Sequence, residues 1–267
     1  MIAIIALLAA LLLPALSRAK MKAQAVACLS NQRQINLRFR LSLDDASGRL
    51  ASLESWSWWT NEMGRPELGW ICPSAPLVDN APKPFFPHDF PGTYRSAWSR
   101  EIINGPLGRR VGSYAANAWL LAGSGFWKDT WGTEGLNLWG LNSPEVFRTE
   151  SDIGRPASTP FVADGIIDDP LPHASDIPPT DLVPALYSGA SGWLPRGAVG
   201  YMFAFTIPRH GSRPNPVPSF WPQDMPLPGA VNVSFFDGHA APVKLDDLWQ
   251  LCWSATYQPP AKRPGLP

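Results

Sequence analysis

MIAIIALLAALLLPALSRAKMKAQAVACLSNQRQINLRFR, residues 1–40, decides how this chain is built. Met1 to Leu16 holds no charge and no hydrogen-bonding side chain. A membrane span takes ~20 apolar residues, so this run falls short by about one helical turn. A secretory signal also has a short apolar core, but basic residues precede it, and none do here. Ala25-Val26-Ala27 has the small-x-small form of a cleavage site, yet it lies too far beyond the apolar core. Cys28 fails as a lipoprotein site for the same reason. Pro14 suits a membrane helix, where neighbours satisfy the carbonyl it frees. Past it, Met21, Ala25, Cys28, Gln32, Ile35 and Phe39 recur at alternating spacings of four and three, a helical stripe with the charges off it. The pattern predicts one continuous helix through residue 43, apolar in its first half and amphipathic in its second.

Outward from that helix the composition changes. Residues 1–43 carry Arg18, Lys20, Lys22, Arg33, Arg38 and Arg40 and no acid, while the rest holds 16 basic and 22 acidic residues. The overall balance is zero, which argues against a general nucleic-acid binder. Thirty prolines are roughly twice the usual share, so long regular elements are not expected where they cluster, above all in residues 156–229. Thirteen tryptophans fit a loop-rich domain that uses them as core, with some left in shallow grooves. Cys28, Cys72 and Cys252 are an odd set without Cys-x-x-Cys, so no metal site is expected from spacing. Outside the cytoplasm, one disulfide plus one free thiol is the natural partition. The sequence does not choose the pair; Cys28 with Cys72 is one candidate.

From Asp44 the segments SWSWWTNE, GWICPSAP and GSYAANAWL are short, aromatic and broken by Gly and Pro, as strands and loops are. Near the end, Val231–Phe236, then Asp237-Gly238, then HAAPVKL predict a β-hairpin around a type I′ turn. Val231, Val233 and Phe235 would face the core. LDDLWQLCW, residues 245–253, predicts a short terminal helix with Leu245, Leu248, Trp249 and Cys252 on one side. The expected fold class is α+β: a long N-terminal helix packed on a small antiparallel sheet with proline-rich loops, divided as residues 1–43 and 44–267.

Residues 2–34 resemble the N-terminal helix of type IV prepilin-like proteins and type II secretion pseudopilins. The likeness is greatest to the subset found in planctomycete- and verrucomicrobium-like bacteria. It rests on Pro14 after the apolar run, the Ser-Arg-Ala-Lys exit and the Cys-Leu-x-Asn-x-x-Gln segment at Cys28–Gln34. Relatives begin with a basic leader and Gly-Phe-Thr-Leu-Ile-Glu, where a peptidase cuts and methylates the new terminus. This chain begins inside the apolar stretch, and the expectation is a start lying upstream. Arg18, Lys20 and Lys22 would by themselves hold the C-terminal side in the cytoplasm; in pilin-like proteins the leader's charges oppose this. The same subset ends in His, nine residues and Asp-Gly, matched here by His210-Gly211 and by Asn232 to His239, including Asp237, Gly238 and His239. Here 26 residues separate His210 from Asp237, and Ser212–Gly229 reads as a proline-rich insertion. Cys72-Pro73, Ser113-Tyr114 with Asn117, and Phe161–Gly165 resemble further shared pieces.

Chemistry is sparse. There is no Gly-x-Ser-x-Gly elbow, no phosphate-cradling glycine loop and no His-Glu-x-x-His. Asp44-Asp45 and Asp246-Asp247 are adjacent and so diverge, whereas acid–base work needs converging groups. His210, Asp237 and His239 are conceivable metal ligands, as are Asp164, Asp168 and Asp169 for calcium, but Asp-Gly is ordinary turn chemistry. Neither set is expected to bind a metal, and no cofactor is expected. Trp56 and Trp58, two apart on a strand face, are candidates for stacking on sugars, against the alternative of an aromatic core. The resemblance implies a non-enzymatic subunit in the inner membrane, its C-terminal domain in the periplasm or outside the cell. It would self-assemble with other pilin-like subunits into a pseudopilus or pilus-like filament. The alternative is a membrane-anchored module that binds polysaccharide.

Overall fold

The computed structural model describes residues 2–50, 58–59, 61–77, 89–101, 109–120, 143–183 and 195–267. A long helix, α1, runs from Ile2 to Asp45 and passes through Pro14 unbroken. It ends in a Schellman arrangement: Gly48 N–H donates to Leu43 O and Ser47 N–H to Asp44 O, with Ser47 taking the left-handed φ of 55° usually left to glycine. Among the described residues, seven short strands follow, all paired antiparallel. β1 (Asp89–Phe90), β2 (Trp98–Glu101) and β3 (Arg109–Gly112) form one sheet in that order. β4 (Tyr114–Ala116), β5 (Pro160–Asp164), β6 (Ala230–Phe235) and β7 (Ala240–Lys244) form the second. The α+β expectation therefore holds, with two small sheets in place of one. Ser113 is the only residue between β3 and β4, so the chain changes sheets there.

The amphipathic half of α1 lies on the four-stranded sheet. Cys28, Gln32, Ile35, Asn36, Phe39 and Leu43 are buried, so the predicted stripe packs from Cys28 onward, whereas Met21 stays exposed. Packing here is partly polar. Gln32 Nε2 donates to Asn232 O, Asn36 Nδ2 to Phe235 O, and Asn232 Nδ2 to Ala25 O. These amides satisfy backbone carbonyls that an apolar helix face would strand. Three of the six basic residues of α1 also reach the domain: Arg33 donates to Ala240 O, Arg38 pairs with Glu62 at 2.7 Å, and Arg40 pairs with Glu150 at 2.6 Å. The helix is continuous across residue 43, and its second half belongs to the same core as the sheet.

Phe39 is the centre of that core. Its ring stacks on Phe161 at 4.5 Å and meets Trp58 at 5.0 Å and Trp59 at 5.5 Å. Trp58 is thus buried among aromatic rings and presents no face to a sugar; Trp56 lies outside the described residues. Trp59, Trp70, Trp98, Trp249 and Trp253 are likewise buried, so most described tryptophans serve the core.

The C-terminal hairpin forms as predicted in position but not in turn type. Only Gly238 has positive φ, at 97°, while a type I′ turn needs two such residues. Gly238 N–H donates to Phe235 O, and Phe235 N–H donates to His239 O. This is a type I turn closed by a left-handed glycine, a three-residue connection. The whole of β6 is buried, because Asn232 and Ser234 face α1 while the alternating apolar residues point to the opposite side. The predicted terminal helix is a 3₁₀ helix, Leu245–Gln250, with Leu245, Leu248 and Trp249 buried.

Candidate functional site

Two features outside ordinary packing stand out: a buried polar cluster beneath α1, and the exposed first half of α1. The cluster begins with Asp164, the last residue of β5, set opposite Tyr114 by the β4–β5 register. Gly165 follows it because a Cβ there would come within 2.3 Å of the Ala115 Cβ. The Asp164 carboxylate is fully buried. Its Oδ2 accepts from Asn232 N–H at 2.7 Å and faces His210 Nε2 at 3.2 Å. Its Oδ1 accepts from Arg209 Nη1 at 3.2 Å and from the Cys28 thiol at 3.4 Å. Arg209, with no exposed side-chain surface, also donates to the carbonyls of Ser113, Thr93 and Gly165.

Sulfur completes the cluster. Cys72 Sγ lies 3.6 Å from His210 Nε2, and Cys28 Sγ lies within 4.8 Å of it. Gln32 Nε2 donates to Cys28 Sγ at 3.7 Å, and Asn31 Nδ2 donates to Tyr114 Oη at 3.4 Å. The donor atoms of Cys28, Cys72, Asp164 and His210 all lie within 4.8 Å of one another, and all four residues are buried.

The electrostatics follow from this crowding. Burial pushes the Asp164 carboxyl up, but the charge and hydrogen bond of His210, with Arg209 and the Asn232 N–H, hold it at about 2. Burial disfavours a charged His210, yet the Asp164 carboxylate and the Cys72 sulfur raise it to about 9. Burial also raises both thiols. Cys28 stays high, next to Cys72 and Asp164, whereas the neighbouring Cys28, His210 and the charge of Arg209 bring Cys72 down to about 6.

Cys72, His210 and Asp164 are the residue types of a nucleophilic triad, but the geometry is not that of a relay. Both Cys72 and Asp164 face the same nitrogen, Nε2, whereas a relay needs one partner on each ring nitrogen. Nor is the sulfur exposed to a substrate.

The groupings expected from sequence are rearranged. His210 does not join Asp237 and His239, which pair with each other at 2.6 Å on the exposed hairpin turn. Asp168 and Asp169 pair with Arg100 at 2.5 and 3.4 Å, so a buried guanidinium is their counter-charge. Cys28 and Cys72 are brought side by side, and Cys252 lies apart, near Ser158 Oγ. Sequence reasoning named every member of the cluster but never in one set. Asp164 ending a buried apolar strand was the available signal, since a carboxylate there must meet a counter-charge.

The second feature is the arm. Leu12 through Ala23 are all exposed, and Gln24 then donates to Pro73 O as the helix meets the domain. Ile5, Leu8, Leu12, Leu13, Leu16 and Met21 are all more than half exposed. Pro14 sits within this stretch. Among the described residues no helix is long and apolar enough to cross a membrane. No family model, curated protein or solved structure matches the chain.

Proposed function

We propose that this chain is a non-enzymatic pilin-like or pseudopilin-like subunit, tethered in the inner membrane by the first half of α1. That half would then pack with copies of itself and with other pilin-like subunits in a type II secretion pseudopilus or type IV pilus-like filament. The globular domain would lie in the periplasm or outside the cell. The observation that carries this reading is the division of α1: its second half shares the domain core, while its apolar first half stands clear of the domain.

Burying a Leu or Ile side chain is worth roughly 1.5–3 kcal/mol, so the exposed side chains of Ile5, Leu8, Leu12, Leu13 and Leu16 make a solvated arm costly. Lipid or neighbouring helices would remove that cost without new polar contacts, because a helix satisfies its own backbone. Residues 1–16 reach about 24 Å at 1.5 Å per residue, against a hydrocarbon core of about 30 Å. Local thinning and snorkelling of Arg18 and Lys20 can absorb a mismatch of that size. No observation favours the polysaccharide-binding alternative, since Trp58 is core.

A photo-cross-linking residue in place of Leu13 or Leu16, in the full chain in membranes, should yield a ladder at multiples of the chain mass. The same residue in place of Leu29, closer to the domain, should cross-link less. If position 13 or 16 gives only uncross-linked monomer, the self-assembly reading fails.

A further inference from the structure

We propose that Cys28, Cys72, Asp164 and His210 form a tetrahedral zinc site that fastens α1 to the sheet. The four donors come from four separate stretches: α1, the turn following Trp70, the end of β5, and the bridge that pairs His210 with Ala230 beside β6.

Their spacing is close to that of a tetrahedron around a small ion. Zinc bonds of ~2.3 Å to sulfur and ~2.0–2.1 Å to nitrogen and oxygen place tetrahedral ligand atoms about 3.3–3.6 Å apart for N–O, S–O and S–N pairs. Three contacts fall near that range: 3.2 Å for His210 Nε2 to Asp164 Oδ2, 3.4 Å for Cys28 Sγ to the other carboxylate oxygen, Oδ1, and 3.6 Å for Cys72 Sγ to His210 Nε2, with all four donors within 4.8 Å. An ion would draw the four donors in from within 4.8 Å to the tetrahedral spacing.

Charge and surroundings agree. Two thiolates and a carboxylate supply three negative charges, which a divalent ion and the buried Arg209 cancel. On binding, zinc takes the place of the protons on the sulfurs and on His210 Nε2, and those protons leave to solvent. The outer contacts that orient ligands are present: Arg209 and Asn232 N–H on Asp164, and Gln32 Nε2 on Cys28. Two sulfurs exclude calcium, which takes oxygen. Four protein ligands leave no open position, so the site is structural. It lies in the packed half of α1, and does not depend on the arm assembling.

The test uses the full chain, purified in detergent without chelator. Elemental analysis should find about one zinc per chain, falling at least tenfold in Cys28→Ser and in Cys72→Ser. Cys252→Ser and His239→Ala should keep the metal. Because a cysteine variant can fail to fold, cobalt loading of the unchanged chain is a second measurement. It should give thiolate-to-cobalt charge transfer in the near ultraviolet and the intense visible bands of tetrahedral cobalt. A metal-free chain that takes up no cobalt with a thiolate band overturns the proposal. So does zinc retained in both cysteine variants, or a Cys28–Cys72 disulfide in the peptide map of the chain isolated from its own compartment.

Discussion

Replacing Asp164 by Asn is expected to destabilise the domain by about 3–5 kcal/mol, the usual penalty for removing one partner of a buried ion pair. Arg209 has no exposed side-chain surface and His210 almost none, so neither can recover its lost counter-charge from water. The amide could still accept the Asn232 N–H, but its own N–H groups would face donors, and it brings no charge. A domain of this kind has roughly 5–15 kcal/mol of stability in all, so the loss should appear as a large fall in denaturation midpoint. Asp237→Asn is the matched control. That carboxylate also pairs with a histidine, but on an exposed turn where an ion pair is worth about 0–1 kcal/mol. Urea unfolding of both variants decides the matter: equal shifts would mean that Asp164 is not the electrostatic centre described.

Phe39→Ala carries the second large effect, again about 3–5 kcal/mol, from lost burial plus the cavity left among rings that cannot all collapse inward. Phe39 touches Phe161 of β5, Trp58 and Trp59 after α1, and Phe236 in the hairpin turn, at 6.4 Å between ring centres. Each such aromatic pair adds about 0.5–1.5 kcal/mol beyond area. Leu37→Ala and Leu41→Ala, on the exposed side of the same helix, should change stability by no more than about 0.5 kcal/mol. Comparable losses at all three positions would contradict the docked face assigned to α1.

These two residues also mark what could be read before the fold was known. Phe39 belongs to a stripe whose period is local, so its burial followed from spacing alone. The hairpin was legible for the same reason, since Asp237-Gly238 announces a turn between two extended runs. Its turn type was not, because whether Asp237 also takes positive φ depends on the register that β6 and β7 adopt. Asp164 is the opposite case. Its partners are Cys28, Cys72, Arg209, His210 and the Asn232 N–H, brought together by pairing of β4, β5 and β6 across long separations. No spacing in the chain encodes that meeting. His210 and Asp237 were linked by motif and are separated in space, while Cys28 and Asp164 had no link and are in contact. Trp58 was ambiguous for a simpler reason: an aromatic ring serves a core and a sugar equally well, and only the position of Phe39 decides.

The most direct test of the account is where the chain goes when the arm is removed. Residues 24–267 keep Cys28, Ile35, Phe39 and Leu43, and so keep the packed half of α1, whereas a cut at residue 43 would take the core with it. The full chain should fractionate with membranes and resist salt and alkaline carbonate, and residues 24–267 should be released as a folded species. Finding both in the soluble fraction, or both in the membrane, would contradict the role given to the first half of α1.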